Sequence, residues 1–302
     1  MQIYKDKKLG DLMTKLIIDT TCDRNDEMLN DPNLEIIPLH ITLDNETYLD
    51  GEEIQLHTVY DYMRAEKVPK TSQISYDSIT KTLNKCISEG HDIIYMAFSS
   101  KLSGTYSFAS QIFEDYKTKY PNTKFELIDS KGGAGGGALI ALQALKMIKR
   151  GFAFQDIVHH IKWSIDHVIY HFTLKDLKWL VLGGRLNKVA GYIGSTLHIK
   201  PYLVVEDGLI KVKELIRGQK RIYKKILNDV KNGVGKFVDQ TIAISHADDE
   251  ETARYIETKI KEMIPECKTI VFEIGAVLGS HLGIGGIGIF YYNEKPVEYQ
   301  YE

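Results

Sequence analysis

The residues best suited to bind a ligand lie in a hydroxyl-rich segment that follows an apolar run. The run at residues 93–98 (IIYMAF) leads into SSKLSGT at residues 99–105, where Ser103 and Gly104 precede a helical spacing of apolar residues. In an open α/β sheet, such a strand–loop–helix unit turns hydroxyls and helix N–H groups toward the sheet edge where ligands bind. The segment therefore predicts a site for an anionic or strongly hydrogen-bonding group. The alternative is that Ser103 only caps the next helix and Gly104 relaxes the bend.

A second hydroxyl-rich segment, KTSQIS at residues 70–75, precedes another helical spacing of apolar residues. Its hydroxyls also suit a helix N-cap. However, loops at the carboxyl ends of parallel strands meet at one edge of the sheet. We therefore expect Thr71 and Ser72 to converge with Ser103 on one ligand group.

Two glycine-rich segments lie further along the chain. The first, GGAGGG at residues 132–137, follows a predicted strand and opens a predicted helix. It predicts close backbone approach or room for a long thin ligand. It does not match the phosphate-loop pattern GxxxxGK[ST], so nucleotide binding is the weaker alternative. The second, GSHLGIGGIG at residues 279–288, contains His281, which is either a structural histidine or an available proton donor.

Basic residues form the third group of candidates. Arg185 stands in GGRL at residues 183–186, and Arg217, Arg221 and Lys224 belong to a basic segment predicted to be helical. These side chains predict a docking surface for an acidic or phosphate-bearing partner. The alternative is a solvated helix face.

The elements that must position these residues alternate between strand and helix patterns. Strands are predicted at residues 15–18, 34–43, 93–98, 124–128 and 197–205, the last as an edge strand because Pro201 cannot donate to a ladder. A hairpin turn is predicted at Asp207–Gly208.

The chain length of 302 residues suits two α/β domains. We predict an N-terminal domain at residues 13–165 with an open, mostly parallel sheet. A smaller C-terminal domain with a mixed sheet is predicted at residues 166–302. Residues 1–12 are polar and are predicted to be a leader or an added extension.

Composition excludes several classes of protein. The net charge of -3 gives no reason to expect nucleic acid as a partner. No apolar run approaches the roughly 20 residues that span a bilayer, so no stable membrane insertion is expected. Three scattered cysteines indicate neither a disulfide framework nor a metal site. A cytoplasmic protein without cofactor or metal is expected.

Several ordered motifs together point to a known family. They are IIDTT at 17–21, YLDG at 48–51, TSQ at 71–73, SSKLSGTY at 99–106, DSKGGAGGG at 129–137, GGRL at 183–186, IKPYL at 199–203 and GSHLGIGGIG at 279–288. In these motifs the chain from Met13 onward resembles the DegV family, whose better-understood members are fatty-acid-binding proteins of the FakB type.

The resemblance implies a two-domain α/β protein with a long-chain fatty acid between its lobes. It implies that hydroxyls matching Thr71 and Ser103 hold the carboxylate, beside Ser72 and Gly104, with His281 close by. It also implies a carrier without turnover of its own, which presents the fatty acid to a separate fatty acid kinase for acyl phosphate formation. Arg185, Arg217, Arg221 and Lys224 are then candidates for docking that kinase.

Two other functions remain open at the level of sequence. One is a serine hydrolase acting on a lipid or acyl ester, with Ser103 as nucleophile and His281 as base, although no G-x-S-x-G motif surrounds Ser103. The other is a nucleotide-binding regulator that uses the glycine-rich segment at 132–137.

Overall fold

The computed structural model describes residues 13–186 and 198–300, so the predicted leader at residues 1–12 lies outside the described residues. The described strands are β1 (Thr14–Asp19), β2 (Leu34–Ile37), β3 (His40–Leu43), β4 (Glu46–Leu49), β5 (Lys70–Ser72), β6 (Asp92–Ala97), β7 (Phe125–Asp129), β8 (Val168–Thr173), β9 (Ile199–Glu206), β10 (Leu209–Arg217), β11 (Thr241–His246), β12 (Lys268–Glu273) and β13 (Ile287–Tyr292). The helices are α1 (Asp26–Leu29), α2 (Leu56–Arg64), α3 (Tyr76–Ser88), α4 (Thr105–Lys119), α5 (Ala134–Lys149), α6 (Phe154–His167), α7 (Lys178–Leu182), α8 (Gln219–Val234), α9 (Glu250–Met263) and α10 (Ala276–Leu282).

The first lobe is built on a four-stranded parallel sheet in the order β2-β1-β6-β7. All residues of β1 and β6 are buried, as expected for parallel strands with both faces covered. Apolar residues of α3 and α4 pack on one face, and those of α5 and α6 pack on the other. The predicted open parallel sheet is confirmed.

The second lobe is built on a six-stranded mixed sheet in the order β10-β9-β8-β13-β11-β12, in which only β11 and β12 pair in parallel. The predicted hairpin joins β9 to β10, and Asp207 and Gly208 have the positive φ values of 49° and 81° that a tight hairpin turn requires. The prediction of two α/β lobes, one parallel and one mixed, is therefore confirmed. The boundary near residue 165 stays a prediction, and α6 ends at His167 where β8 begins.

Helix α5 lies between the two sheets. It contacts β1 of the first sheet and β8, β11 and β13 of the second. Its glycines and alanines leave little side-chain bulk, so both sheets approach the helix closely. The core is thus continuous across the two lobes.

Two strand predictions were wrong for identifiable reasons. The strand predicted at 34–43 is two strands, β2 and β3, in different sheets. The break falls at Pro38, which cannot donate to a ladder. The strand predicted at 197–205 begins at residue 197, outside the described residues. Its described part, β9, is not an edge strand, because it lies between β10 and β8. Pro201 is tolerated there because pairing with β8 starts only at Tyr202.

One strand was missed and one helix boundary was wrong. The hydroxyl-rich segment at 70–75 is not a loop after a parallel strand, because Lys70–Ser72 form β5, which pairs with β3 in a small antiparallel sheet. The Ser75 hydroxyl performs the capping, accepting from the Ser78 N–H. Arg217 ends β10 instead of belonging to a helix. No helix in the described part of the chain is both long and apolar enough to cross a bilayer.

Candidate ligand-binding site

Polar side chains from four parts of the chain line one cavity at the carboxyl edge of the parallel sheet. We call it the head cavity, and it has about 440 Å³ of empty space, which includes space open to solvent. Its polar lining residues are Thr71 and Ser72 of β5, Ser103 of the loop after β6, Arg185 after α7, and His281 of α10. The predicted convergence of the two hydroxyl-rich segments is therefore present in the structure.

Thr71 and His281 share a hydrogen bond of 2.7 Å between Oγ1 and Nε2. Burial, together with the nearby Arg185 charge, lowers the pKa of His281 to about 4. The imidazole is therefore neutral at pH 7. Its Nδ1 has no hydrogen-bond partner in the described part of the chain. Besides the bond that it shares with His281, the Thr71 hydroxyl can form a further hydrogen bond to a ligand.

Ser103 takes part in the cap of α4 as well as lining the cavity. Its Oγ accepts from the Thr105 N–H at 3.2 Å and lies 3.0 Å from Thr105 Oγ1. Capping and ligand contact are compatible, because a hydroxyl has one donor and two acceptor valences. The two interpretations of Ser103 made from the sequence are thus not exclusive.

Gly104 does not line the cavity, but its lack of a side chain lets two walls of the cavity pack closely. A Cβ built on Gly104 would lie 2.2 Å from Oε1 of Gln73, which follows Thr71 and Ser72 in the chain. The absence of a side chain therefore lets the segment carrying Thr71 pack against the loop carrying Ser103.

Arg185 lines the head cavity, whereas the sequence indicated only a docking role for it. Its Nε donates to the Leu102 carbonyl at 3.1 Å and its Nη1 donates to the Gly183 carbonyl at 2.6 Å. Burial lowers the pKa of the guanidinium, which remains charged at pH 7. A Cβ on Gly183 would lie 2.1 Å from His281 Nδ1, so the GGRL motif supplies both a cation and the space for the histidine.

The other three basic candidates lie elsewhere. Arg217, Arg221 and Lys224 are exposed and line neither cavity. In the described part of the chain they make no ion pair, in contrast to Lys225, which pairs with Asp229.

A second cavity adjoins the first. We call it the tail cavity, and it lies between the glycine-rich segment and the mixed sheet, with about 540 Å³ of empty space that includes space open to solvent. Its walls are aliphatic, aromatic or glycine residues. The two cavities share five of them, Phe98, Leu102, Ile210, Leu278 and Leu282, so a cavity with polar groups and an apolar cavity adjoin each other.

The glycine-rich segment forms part of the tail-cavity wall. Gly132, Gly133 and Ala134 line the space directly. A Cβ on Gly133 would lie 2.7 Å from the Phe98 ring, and one on Gly136 would lie 2.4 Å from the Tyr170 ring. The glycines thus let aromatic side chains pack against the start of α5, beside the tail cavity.

Carboxylates at or just after strand ends contact the elements that carry site residues. Asp19, the last residue of β1, accepts from the Phe98 N–H at 2.8 Å and so fixes the start of the loop that carries Ser103. Asp129 accepts from the Ser100 N–H at 3.1 Å and fixes the same loop further on. The N–H groups of Ala276 and Val277, at the start of α10, act to lower the pKa of the Asp50 carboxyl in the YLDG motif, although burial raises it overall. The helix with His281 therefore begins close to a carboxylate of the first lobe.

Comparison with known proteins identifies the family. The model of the family described as "Uncharacterised protein, DegV family" matches residues 13–294. The chain belongs to the DegV family. A DegV domain-containing protein of Clostridium perfringens is 32% identical over 278 residues, covering 91% of this chain and 96% of the relative.

Solved structures of DegV-family proteins share the fold of this chain. The protein described as DegV, a fatty acid binding protein from Bacillus subtilis, has a TM-score of 0.81 and 27% identity, covering 93% of this chain and 99% of its own. The Streptococcus pneumoniae fatty acid kinase B3 protein, loaded with linoleic acid, has a TM-score of 0.84 at 21% identity, covering 94% of this chain and 100% of its own. Both similarities extend over both lobes of this DegV-family chain.

Proposed function

We propose that this protein binds a long-chain fatty acid, with the carboxylate in the head cavity and the acyl chain in the tail cavity. The observation that carries the proposal is that a hydroxyl-lined cavity adjoins an apolar one, with five wall residues in common. A ligand that fits must combine a long apolar body with one small hydrogen-bonding end. The description of the Bacillus subtilis relative as a fatty acid binding protein supports the same ligand class.

The acyl chain supplies the affinity in this proposal. Burying a methylene contributes about 0.8 kcal/mol, so a palmitate-sized chain contributes on the order of 10 kcal/mol before costs. Immobilising the ligand and ordering its chain offset part of that gain. The head cavity then needs only to satisfy the carboxylate.

The head group is held, in this proposal, by neutral donors and one cation. Thr71 and Ser103 donate hydrogen bonds to the carboxylate, and Ser72 and Gly104 complete the loops around it. His281 fixes the Thr71 hydroxyl through the bond at 2.7 Å. The Arg185 guanidinium compensates the negative charge, because a buried carboxylate without a partner is costly.

A binding role fits the geometry better than a hydrolase does. His281 Nε2 bonds Thr71 and not Ser103, so it is not positioned to take a proton from the predicted nucleophile. In the described residues no carboxylate accepts from His281 Nδ1 to orient the ring as in a triad. A nucleotide site is also disfavoured, since the glycine-rich segment lines an apolar wall.

The proposal is tested first by the lipid that accompanies the protein. Organic extract of freshly purified protein, analysed by mass spectrometry, is expected to contain long-chain fatty acid in near-stoichiometric amount. After delipidation, palmitic acid should bind with saturation at one site, and its methyl ester should bind more weakly because it lacks the anionic head. Extract without fatty acid, together with no binding of palmitic acid, would reject the function.

We further propose that the loaded protein presents the carboxylate to a separate fatty acid kinase. The kinase partner is what the DegV resemblance implies, and the exposed Arg217, Arg221 and Lys224 form a basic surface suited to an acidic partner. In this proposal the protein itself acts as a carrier and catalyses no reaction.

Charge reversal tests this surface. Arg221→Glu with Lys224→Glu is expected to slow acyl phosphate formation by the kinase while leaving fatty acid binding unchanged. Lys231→Glu with Lys236→Glu is the matched control, since both lysines are exposed on or just after α8. Equal rates for the two double variants would count against docking at this surface.

A further inference from the structure

Along the strands of the mixed sheet, the tail cavity ends at two aromatic rings. Tyr170 of β8 stands opposite Phe290 of β13, and both residues line the cavity. Because every second residue of a strand points to the same face, Val168 and Tyr292 are the next pair on this face. Both are buried, but they line neither cavity. The space therefore stops at the Tyr170–Phe290 pair.

The Phe290 ring extends along its strand toward the rest of the cavity. Gly288, two residues earlier on the same face, also lines the cavity, opposite Phe172 of β8. A Cβ built on Gly288 would lie 2.5 Å from Phe290 Cζ. The ring thus fills the volume that a side chain at position 288 would take, and it is the ring of Phe290 that bounds the cavity there.

The Phe290 ring has little room to move aside. It is 3% exposed, and it packs edge-to-face on the Tyr170 ring with centroids 5.4 Å apart. On another side it meets α5, where a Cβ built on Gly135 would lie 2.6 Å from Phe290 Cδ2. Gly135 and Gly288 come from the two glycine-rich segments of the sequence, so each segment leaves space for this one ring.

Resting on the proposed function, we infer that the Phe290 ring sets the longest acyl chain that the protein binds with full affinity. With the carboxylate in the head cavity, the methyl end of the chain points toward the ring. Each further methylene that is buried raises the affinity about fourfold. Once the chain reaches the ring, a longer chain must overpack the cavity end or fold back, so the gain stops. Phe290 is thus a specificity-determining residue for chain length.

The test measures affinity against chain length on delipidated protein. The ligands are saturated, unbranched fatty acids of every length from decanoic to docosanoic acid, in competition with a fluorescent fatty acid. In wild-type protein the affinity is expected to rise about fourfold per methylene and to stop rising at one length. Phe290→Leu is expected to move that length upward by about one methylene, and Phe290→Ala is expected to move it further, because each change opens the cavity end.

Phe237→Leu is the matched control. Phe237 is also 3% exposed and packs edge-to-face on a tyrosine, Tyr299, but it lines neither cavity. A length limit that is the same in wild type and in both Phe290 variants, or that moves equally in Phe237→Leu, overturns the inference and leaves the proposed function standing. Failure of every fatty acid to bind wild-type protein would instead reject the proposed function.

Discussion

At the scale of single residues, the head cavity depends on one hydroxyl–imidazole pair. Thr71 Oγ1 lies 2.7 Å from His281 Nε2. Because burial keeps the imidazole neutral by lowering its pKa to about 4, the pair carries no charge that would compete with the ligand. A neutral histidine can accept from Thr71 or donate to it, so the hydroxyl can turn its proton toward a carboxylate.

Thr71→Val is expected to weaken fatty acid binding about tenfold or more. The isosteric change removes a donor to the carboxylate and leaves His281 Nε2 buried without a partner. Thr71→Ser should restore most of the affinity. Isothermal titration of delipidated protein measures both.

Thr118→Val is the control, because that hydroxyl only bonds the Glu114 carbonyl on the exposed face of α4. Wild-type affinity in Thr71→Val would contradict the role of this hydroxyl.

The residue types of the head cavity were predictable from the sequence where a local pattern marked them. Thr71, Ser72 and Ser103 stand in hydroxyl-rich segments beside predicted elements, and they do line one cavity. Arg185 and Tyr170 carried no such signal. From the sequence, Arg185 is indistinguishable from a surface cation, although the fold places it in the cavity wall. Tyr170 is indistinguishable from any other apolar position in a strand.

At the scale of elements, the glycines of α5 decide how closely the aromatic wall approaches. A Cβ built on Gly136 would lie 2.4 Å from the Tyr170 ring. A Cβ built on the next residue, Gly137, would lie 3.4 Å from the Cys22 Sγ, which is an ordinary contact distance. Two adjacent glycines thus have different reasons to be present.

The pair gives a matched test of packing against helix propensity. Gly137→Ala is expected to be neutral or to raise the free energy of unfolding by up to about 1 kcal/mol, because alanine favours the helix. Gly136→Ala is expected to lower it and to weaken fatty acid binding, because the Tyr170 ring must move. Chemical denaturation and ligand titration of both variants measure these effects. Equal behaviour of the two variants would contradict the packing described here.

One element that the sequence missed depends on pairing between distant residues. The hydroxyls of the segment at 70–75 suit a helix N-cap, but the first part of the segment pairs as β5 with β3. That pairing joins residues about thirty positions apart, and no local pattern records it. The hairpin at Asp207–Gly208, by contrast, is a local turn and was predicted correctly.

At the scale of the whole molecule, a few hydrogen bonds join the lobes around the ligand space. Ser99 Oγ donates to the Gly208 carbonyl at 2.8 Å, which ties the loop after β6 to the β9–β10 hairpin. Tyr60 Oη donates to the Ile274 carbonyl at 3.0 Å. Ser245 Oγ donates to the Asp23 carboxylate at 2.6 Å.

The burial of Asp23 makes the stability of the molecule depend on pH. Burial raises the pKa of Asp23 to about 7, against the opposing effects of the Ser245 hydroxyl and Arg24. Between about pH 4 and pH 7 the folded state keeps a proton that the unfolded chain releases. This group therefore contributes less to the free energy of unfolding as pH rises through that window.

Asp23→Asn removes this titration and is expected to gain stability relative to wild type as pH rises, by on the order of 3 kcal/mol between pH 4 and pH 8. Chemical denaturation at several pH values measures the difference. Asp115→Asn, on the exposed face of α4, is the control. A constant difference between Asp23→Asn and wild type across this range would show that Asp23 is ionised throughout.

The measurement that tests the central claim most directly is an experimental structure of delipidated protein loaded with palmitic acid. The carboxylate is expected within hydrogen-bonding distance of Thr71 Oγ1 and Ser103 Oγ, beside Arg185. The chain is expected to pass the five shared wall residues into the space between the glycine-rich segment and the mixed sheet. A carboxylate at the Tyr170 end, or a fatty acid bound outside both cavities, would contradict the account.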